Sequence, residues 1–274
     1  INYSGLSENV RLTTNASLTK IIAKKEFILT ESLFLVLTWG QPLEAPLQRT
    51  FEDFLTRTKQ YWRNWVRRTS IPSIYQDEVI RSALLLKLHQ FEDTGAIIAS
   101  GTTSLPEYPS SQRNWDYRYC WIRDSYFTIT ALIRLGHFYE AEKYAKWIQN
   151  IVQAQECNFQ PVYKIDGSAD LSEKVVNLKG YLNNPPVRIG NDAYKQKQYD
   201  VFGQMLLSLE PLYTDSRVKK SGTRPPLSLI HSILDQIEKI FDLPDSGIWE
   251  YREKFQKHTG SYLFHWAGAM AAKK

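Results

Sequence analysis

The stretch Arg113-Asn114-Trp115-Asp116-Tyr117-Arg118-Tyr119-Cys120-Trp121-Ile122-Arg123-Asp124-Ser125 marks a change of period in the chain. It ends a long irregular segment, 95–118, one of two rich in Gly, Pro and Asn, and opens a helix. After it, apolar residues recur at helical spacing. From Asp77 onward the pattern predicts helices near 76–91, 122–135, 138–153, 198–213, 226–241 and 258–273. Their connections alternate in character: Gly136 makes a short turn, whereas 95–118 and 154–197 are long. Loops of that length inside a compact domain are usually functional. The expectation is stacked helical hairpins, with a binding face built from the long loops. No TPR or ankyrin period is present.

Upstream the reading is different. Val10–Thr14, Leu18–Ile22, Phe27–Leu29 and Leu33–Thr38 are short runs rich in β-branched and aromatic residues and are read as strands. Pro42 and Pro46 then punctuate the chain, and Phe51, Phe54, Leu55, Tyr61, Trp62 and Trp65 fall along one face of a helix over 49–68. The organisation expected is the C-terminal part of a β-sandwich in 1–45, a linker helix in 46–70, and the first part of a helical domain in 71–274.

Of the 274 residues, 43% are hydrophobic, enough for a sizeable core. The net charge of +5 comes from dispersed pairs such as Lys24-Lys25, Arg67-Arg68 and Lys219-Lys220. A phosphate-tracking surface needs clustering, so no nucleic-acid partner is expected. No apolar run approaches the ~20 residues of a membrane span. Two cysteines, Cys120 and Cys157, form no disulfide framework and have no zinc-ligand spacing. That usage favours a reducing, cytoplasmic compartment. Eight Trp and sixteen Tyr are consistent with sugar-binding faces as well as with a core.

In the opening stretch, Arg123 offers a planar fork of donors and Asp124 offers acceptors near a helix start. Such a pair can grip adjacent sugar hydroxyls, with Tyr117 and Trp121 as the apolar wall. The same residues also fit a plainer role, with Asp124 capping the helix and the aromatics filling the core. A second motif is Pro244-Asp245-Ser246-Gly247-Ile248-Trp249-Glu250. Here a turn leads to a carboxylate flanked by apolar residues, which disfavour its charged form as a general acid requires. A glutamate facing solvent is the alternative. His258 and His265 share a face of a predicted helix without a nearby acidic partner, and no metal site is expected from them.

Tyr117–Ser125 resembles the segment that forms the innermost sugar subsite in glycoside hydrolase family 15, the glucoamylases, dextran-acting relatives and bacterial trehalases. Thr94–Ala99, Thr102–Glu107, Asp166-Gly167, Gly180-Tyr181 and Pro186–Asn191 resemble other loops of the family in the same order, so the similarity extends over essentially the whole chain. It implies a mainly α fold, part of an (α/α)6 toroid preceded by the end of a β-sandwich. It implies that Tyr117 stacks on the terminal glucose, that Trp121 lines the pocket, and that Arg123 and Asp124 bind hydroxyls. Glu250 falls on the catalytic acid. Trp249 and Arg252 join the expected substrate contacts, although Tyr251-Arg252 departs from the acidic residue that follows the acid in fungal members.

The function implied is cofactor-free, inverting hydrolysis of an α-glucosidic bond in an oligosaccharide or disaccharide, glucoamylase-like, releasing glucose. Trehalose hydrolysis is the alternative within the family, and a non-catalytic carbohydrate-binding or regulatory module is the alternative outside hydrolysis. The family's general base is a glutamate far downstream of the acid, so the chain is expected to be a segment of a longer enzyme.

Overall fold

The computed structural model describes residues 2–3, 9–154, 159–218, 224–251 and 254–274. Cys157 and the expected substrate contact Arg252 lie outside the described residues. The chain divides into two compact units, Ile1–Arg68 and Thr69–Lys274.

In the first unit, strands β1 (Asn2–Tyr3), β2 (Val10–Thr14) and β3 (Leu35–Trp39) form an antiparallel sheet in the order β1-β2-β3. Val10 pairs with Trp39 and Thr14 with Leu35. Two runs expected as strands are not strands. Leu18–Ile22 is a short helix, α1, closed by Lys20 and Ile21 backbone N–H groups donating to the Ser17 carbonyl. Its Leu18 and Ile22 are exposed, so no sheet face was available to favour the β-branched pattern. Phe27–Leu29 adopts no regular structure and is also exposed. Helix α2 spans Leu47–Arg67; Thr50 and Trp65 are its buried residues, while Phe51, Phe54, Leu55 and Tyr61 are exposed.

The second unit is built on helices α3 (Gln76–Leu88), α4 (Ile122–Arg134), α5 (Phe138–Ala154), α6 (Asp200–Thr214), α7 (Leu227–Ile240) and α8 (Thr259–Ala272). These agree with the sequence periods to within a few residues at each end. Among the described residues, no helix is long and apolar enough to cross a membrane. Helix α6 is the centre of the packing and touches α4, α5, α7 and α8. It is buried on more than one side: Val201, Phe202, Met205, Leu206, Leu209 and Leu212 form its apolar face, and Gly203, Gln204 and Ser208 are buried on the other. The closest approach is to α8. A Cβ on Gly203 would strike the Phe264 carbonyl, and one on Gly268 would stand 2.7 Å from the Gly203 Cα. Only glycine lets the two backbones meet there.

The long loops are stitched to one another at the ends of these helices. Strand β4 (Cys120–Trp121) pairs with β5 (Val162–Tyr163), and β6 (Lys174–Val176) pairs with β7 (Val187–Ile189). The Asn184 side chain accepts from the Ser110 N–H and donates to the Ser111 carbonyl, both at 2.6 Å. Thr103 Oγ1 donates to the Arg188 carbonyl, and Asn191 Nδ2 to that of Asp116. Buried Asp116 accepts from the Gly190 N–H and from Arg118. Backbone groups without a helix to satisfy them are thus paired across the two loops.

Candidate active site

The loops enclose a cavity of about 590 Å³ lined by Arg113, Trp115, Tyr117, Asn191, Ala193, Gln196, Trp249, Glu250 and Tyr251. Arg188 lies over the Trp115 ring, 4.6 Å from its centroid, and is itself paired with Glu173 at 2.8 Å. Tyr117 packs against Trp121 with ring centroids 5.7 Å apart. Burial holds the Tyr117 hydroxyl above its ordinary range, with the negative charge of Glu250 adding to the effect.

Glu250 is the carboxylate of this lining. It arrives on the turn 247–250, closed by its N–H donating to the Gly247 carbonyl. Its own φ of 55° is left-handed, a conformation costing a non-glycine residue about 1 kcal/mol and concentrated at functional sites. Gly247 also has a positive φ, and a Cβ there would strike the His258 ring. The turn is anchored by buried Asp245, whose Oδ2 accepts from the Tyr199 N–H at 2.7 Å and from Ser261 Oγ at 2.8 Å. The Ser246 N–H donates to the Lys197 carbonyl. Asp245 thereby holds the turn to the segment before α6 and to the start of α8.

Three donors converge on one oxygen of Glu250. Trp121 Nε1 donates at 3.0 Å, Arg123 Nη2 at 3.1 Å and Gln198 Nε2 at 3.3 Å, all to Oε1. Gln196 Nε2 donates to the Glu250 carbonyl. The apolar neighbours expected to shelter this carboxylate are themselves largely exposed: Ile248 is 53% exposed, and Trp249, which lines the cavity beside it, 73% exposed. The hydrogen-bond partners of the carboxylate come instead from residues distant in sequence, on and before α4 and ahead of α6.

Arg123 is the hub beneath the cavity. Its Nη1 donates to Gln198 Oε1 at 2.7 Å and stands 3.7 Å from Asp200 Oδ2. Asp200 and Glu250 both pair with this one guanidinium, and Asp124 feels its charge. Burial pushes both Asp124 and Asp200 above the usual carboxylate range, and Arg123 opposes the shift. The helix-capping position of α4 belongs to Trp121; Asp124 sits in the first turn.

Tyr117, Trp249 and Glu250 therefore face the cavity, whereas Trp121, Arg123 and Asp124 are not among its lining residues. Trp121 is 2% exposed, in a core cluster with Val162, Leu171 and Ala193. Arg113, Trp115, Gln196, Gln198, Asp200 and Asp245 were not singled out as site residues from the sequence. The run of polar residues Gln196, Gln198 and Asp200 just ahead of and into a predicted helix was the available signal. His258 precedes α8 and does have an acidic neighbour, Asp245, 3.8 Å away; His265 bonds to the Tyr199 carbonyl. Cys120 is buried, which pushes its thiol far up and makes it a poor nucleophile. Among the described residues, no three His, Cys, Asp or Glu side chains gather as they would around a metal ion.

The family model described as "Glycosyl hydrolases family 15" matches residues 73–274. A "Trehalase" of Mycolicibacterium smegmatis is 36% identical over 272 residues, 94% of this chain and 39% of that protein. A "Trehalase" of Thermoplasma acidophilum is 32% identical over 270 residues, 97% of this chain and 46% of that protein. The chain thus spans less than half the length of these relatives. A solved structure of a glycosidase variant superposes with a TM-score of 0.52 at 17% identity, covering 70% of this chain and 48% of that one. That likeness concerns the fold, which is mainly α and of the (α/α)6 kind.

Proposed function

The chain belongs to glycosyl hydrolases family 15, and from that premise we propose that it carries the acid half of an inverting α-glucosidase site whose substrate is trehalose. The observation that carries the acid assignment is the Glu250 carboxyl at the cavity wall, with Oε1 held by Trp121, Arg123 and Gln198. Among the described residues Oε2 has no partner, so it is free to meet a glycosidic oxygen. The proton passes from Glu250 to that oxygen as the bond to the anomeric carbon breaks. Water attacks the anomeric carbon from the opposite face and gives its proton to a second carboxylate. Glu250 is the one carboxylate lining the cavity among the described residues. Tyr117 and Trp249 supply aromatic faces for the sugar, and Arg123 with Asp124 fixes the floor beneath it.

The sequence alone put a glucoamylase-type substrate first and trehalose second. The relatives named trehalase, more than 30% identical over nearly the whole chain, support the reverse order. The test uses the complete enzyme that contains this chain, assayed on trehalose, maltose and isomaltose, with Glu250→Gln in parallel. Trehalose should give the highest kcat/KM, with β-glucose as the first-formed anomer from the cleaved residue. Glu250→Gln should lower kcat on trehalose by ~10²–10⁴-fold, but far less on α-glucosyl fluoride, whose leaving group needs little protonation. Equal losses on both substrates would remove Glu250 as the acid, and preference for maltose would remove trehalose.

A further inference from the structure

Gln198 lies in the extended segment leading into α6 and is 2% exposed. Its Oε1 accepts from Arg123 Nη1 at 2.7 Å, and its Nε2 donates to Gln196 Oε1 at 3.0 Å and to Glu250 Oε1 at 3.3 Å. A guanidinium has only hydrogens to offer. The amide oxygen must therefore face Arg123, and the amide nitrogen is left facing Glu250. The flip of this side chain is decided by chemistry. Oε1 of Glu250 is then met by three groups that can only donate: the Trp121 indole, the Arg123 guanidinium and the Gln198 amide nitrogen. A proton placed on Oε1 would confront their hydrogens.

We propose that Gln198 is a positioning residue that, through its locked amide, keeps Oε1 of Glu250 an acceptor and so directs the transferable proton to Oε2. This rests on the reading of Glu250 as the acid. The amide does what neither charged neighbour can do alone: it accepts from Arg123 and donates to Glu250, coupling the orientation of the acid to that of the hub. A glutamate at the same place would still accept from Arg123. It would, however, present an oxygen to Oε1, and a proton would be trapped between the two carboxyls. Among the described residues, the charged and titratable groups around this pair include Arg123 and Asp124 from α4, Asp200 from α6, Tyr117 from the loop before β4, and Arg113 on the cavity lining.

The test compares Gln198→Glu, Gln198→Met and Glu250→Gln in the complete enzyme, on trehalose and on α-glucosyl fluoride, across pH. Gln198→Glu should move the alkaline limb of kcat/KM for trehalose to higher pH and lower kcat on trehalose by ~10²-fold, with a much smaller loss on the fluoride. Gln198→Met keeps the bulk and loses every hydrogen bond. It should lower the trehalose-to-fluoride rate ratio without moving the limb upward. A purely structural role would lower the melting temperature and leave that ratio and the limb unchanged in both variants; this result overturns the proposal. Should Gln198→Glu fail to fold, the rate ratio of Gln198→Met decides alone. If Glu250→Gln retains trehalose activity, the acid assignment itself fails. If Glu250→Gln is inactive on trehalose while both Gln198 variants keep the wild-type ratio, only the role of Gln198 fails.

Discussion

The indole nitrogen of Trp121 and the carboxylate of Glu250, 129 residues apart in sequence, are joined by a hydrogen bond of 3.0 Å. Trp121 is the residue just before α4, and Glu250 sits at the end of a turn ahead of α8. The bond ties the two loops on which the site is assembled. Trp121→Phe keeps the ring in its core cluster and removes the donor. It is expected to lower kcat about tenfold, in keeping with about 1–1.5 kcal/mol for one hydrogen bond, with KM little changed. Steady-state kinetics of the complete enzyme read this directly; an unchanged kcat would show that the bond does not orient the Glu250 carboxyl for the proposed reaction.

Asp245 is expected to govern the same carboxylate from the other side. Asp245→Ala leaves the Tyr199 N–H and the Ser261 hydroxyl without their acceptor in a buried place. The loss should be about 2–4 kcal/mol of stability, and Asp245→Asn, which keeps one oxygen, should lose less. Urea denaturation of the three proteins ranks them, and equal stability of the alanine and asparagine variants would contradict this account of the anchor.

The crossing of α6 and α8 depends on the absence of a side chain. Gly203→Ala would drive a methyl group into the Phe264 carbonyl and is expected to destabilise by more than about 2 kcal/mol. At Gly101 an added Cβ would meet nothing within 4 Å, and the φ is not positive. Gly101→Ala should therefore fall within about 0.5 kcal/mol of the wild type. Paired thermal melts give the contrast.

Asp200 makes stability depend on pH in a definite direction. Its native-state value is raised, chiefly by burial, so the folded protein holds this proton more tightly than the unfolded chain does. Its contribution is fully present below the ordinary carboxylate range and is lost as pH rises through the raised native value. Asp200→Asn removes the dependence. The stability of the variant relative to the wild type should therefore climb between pH 4 and pH 7 in urea titrations. A difference that stays flat or falls would show that Arg123 outweighs burial at this site.

Much of the helical architecture was legible in the sequence. The six helices from Gln76 onward follow apolar periodicity, and periodicity reports burial of one helical face or, as in α6, of more than one. The short runs near the N-terminus were less legible. Leu18–Ile22 has strand-like composition yet forms a helical turn, because five residues without a neighbouring strand or a buried face are decided by local backbone bonds. The aromatic, arginine and carboxylate motifs at 117–125 and 244–250 were also visible as chemistry.

Their arrangement was not. Nothing in the linear chain says that Gln198 would stand between Arg123 and Glu250, or that Asp245 would hold the turn from 46 residues beyond Tyr199. Nor could it say that the carboxylate would be held by donors more than fifty residues away in the chain. By itself the sequence determined which long segments from Gln76 onward become helices and which residue types are available for acid chemistry, because those depend on spacing and on side-chain identity. The tertiary structure alone decided which oxygen of Glu250 is held and which is free, because a hydrogen-bond network exists only once α4, the segment before α6 and the turn before α8 have been brought within 3 Å of one another.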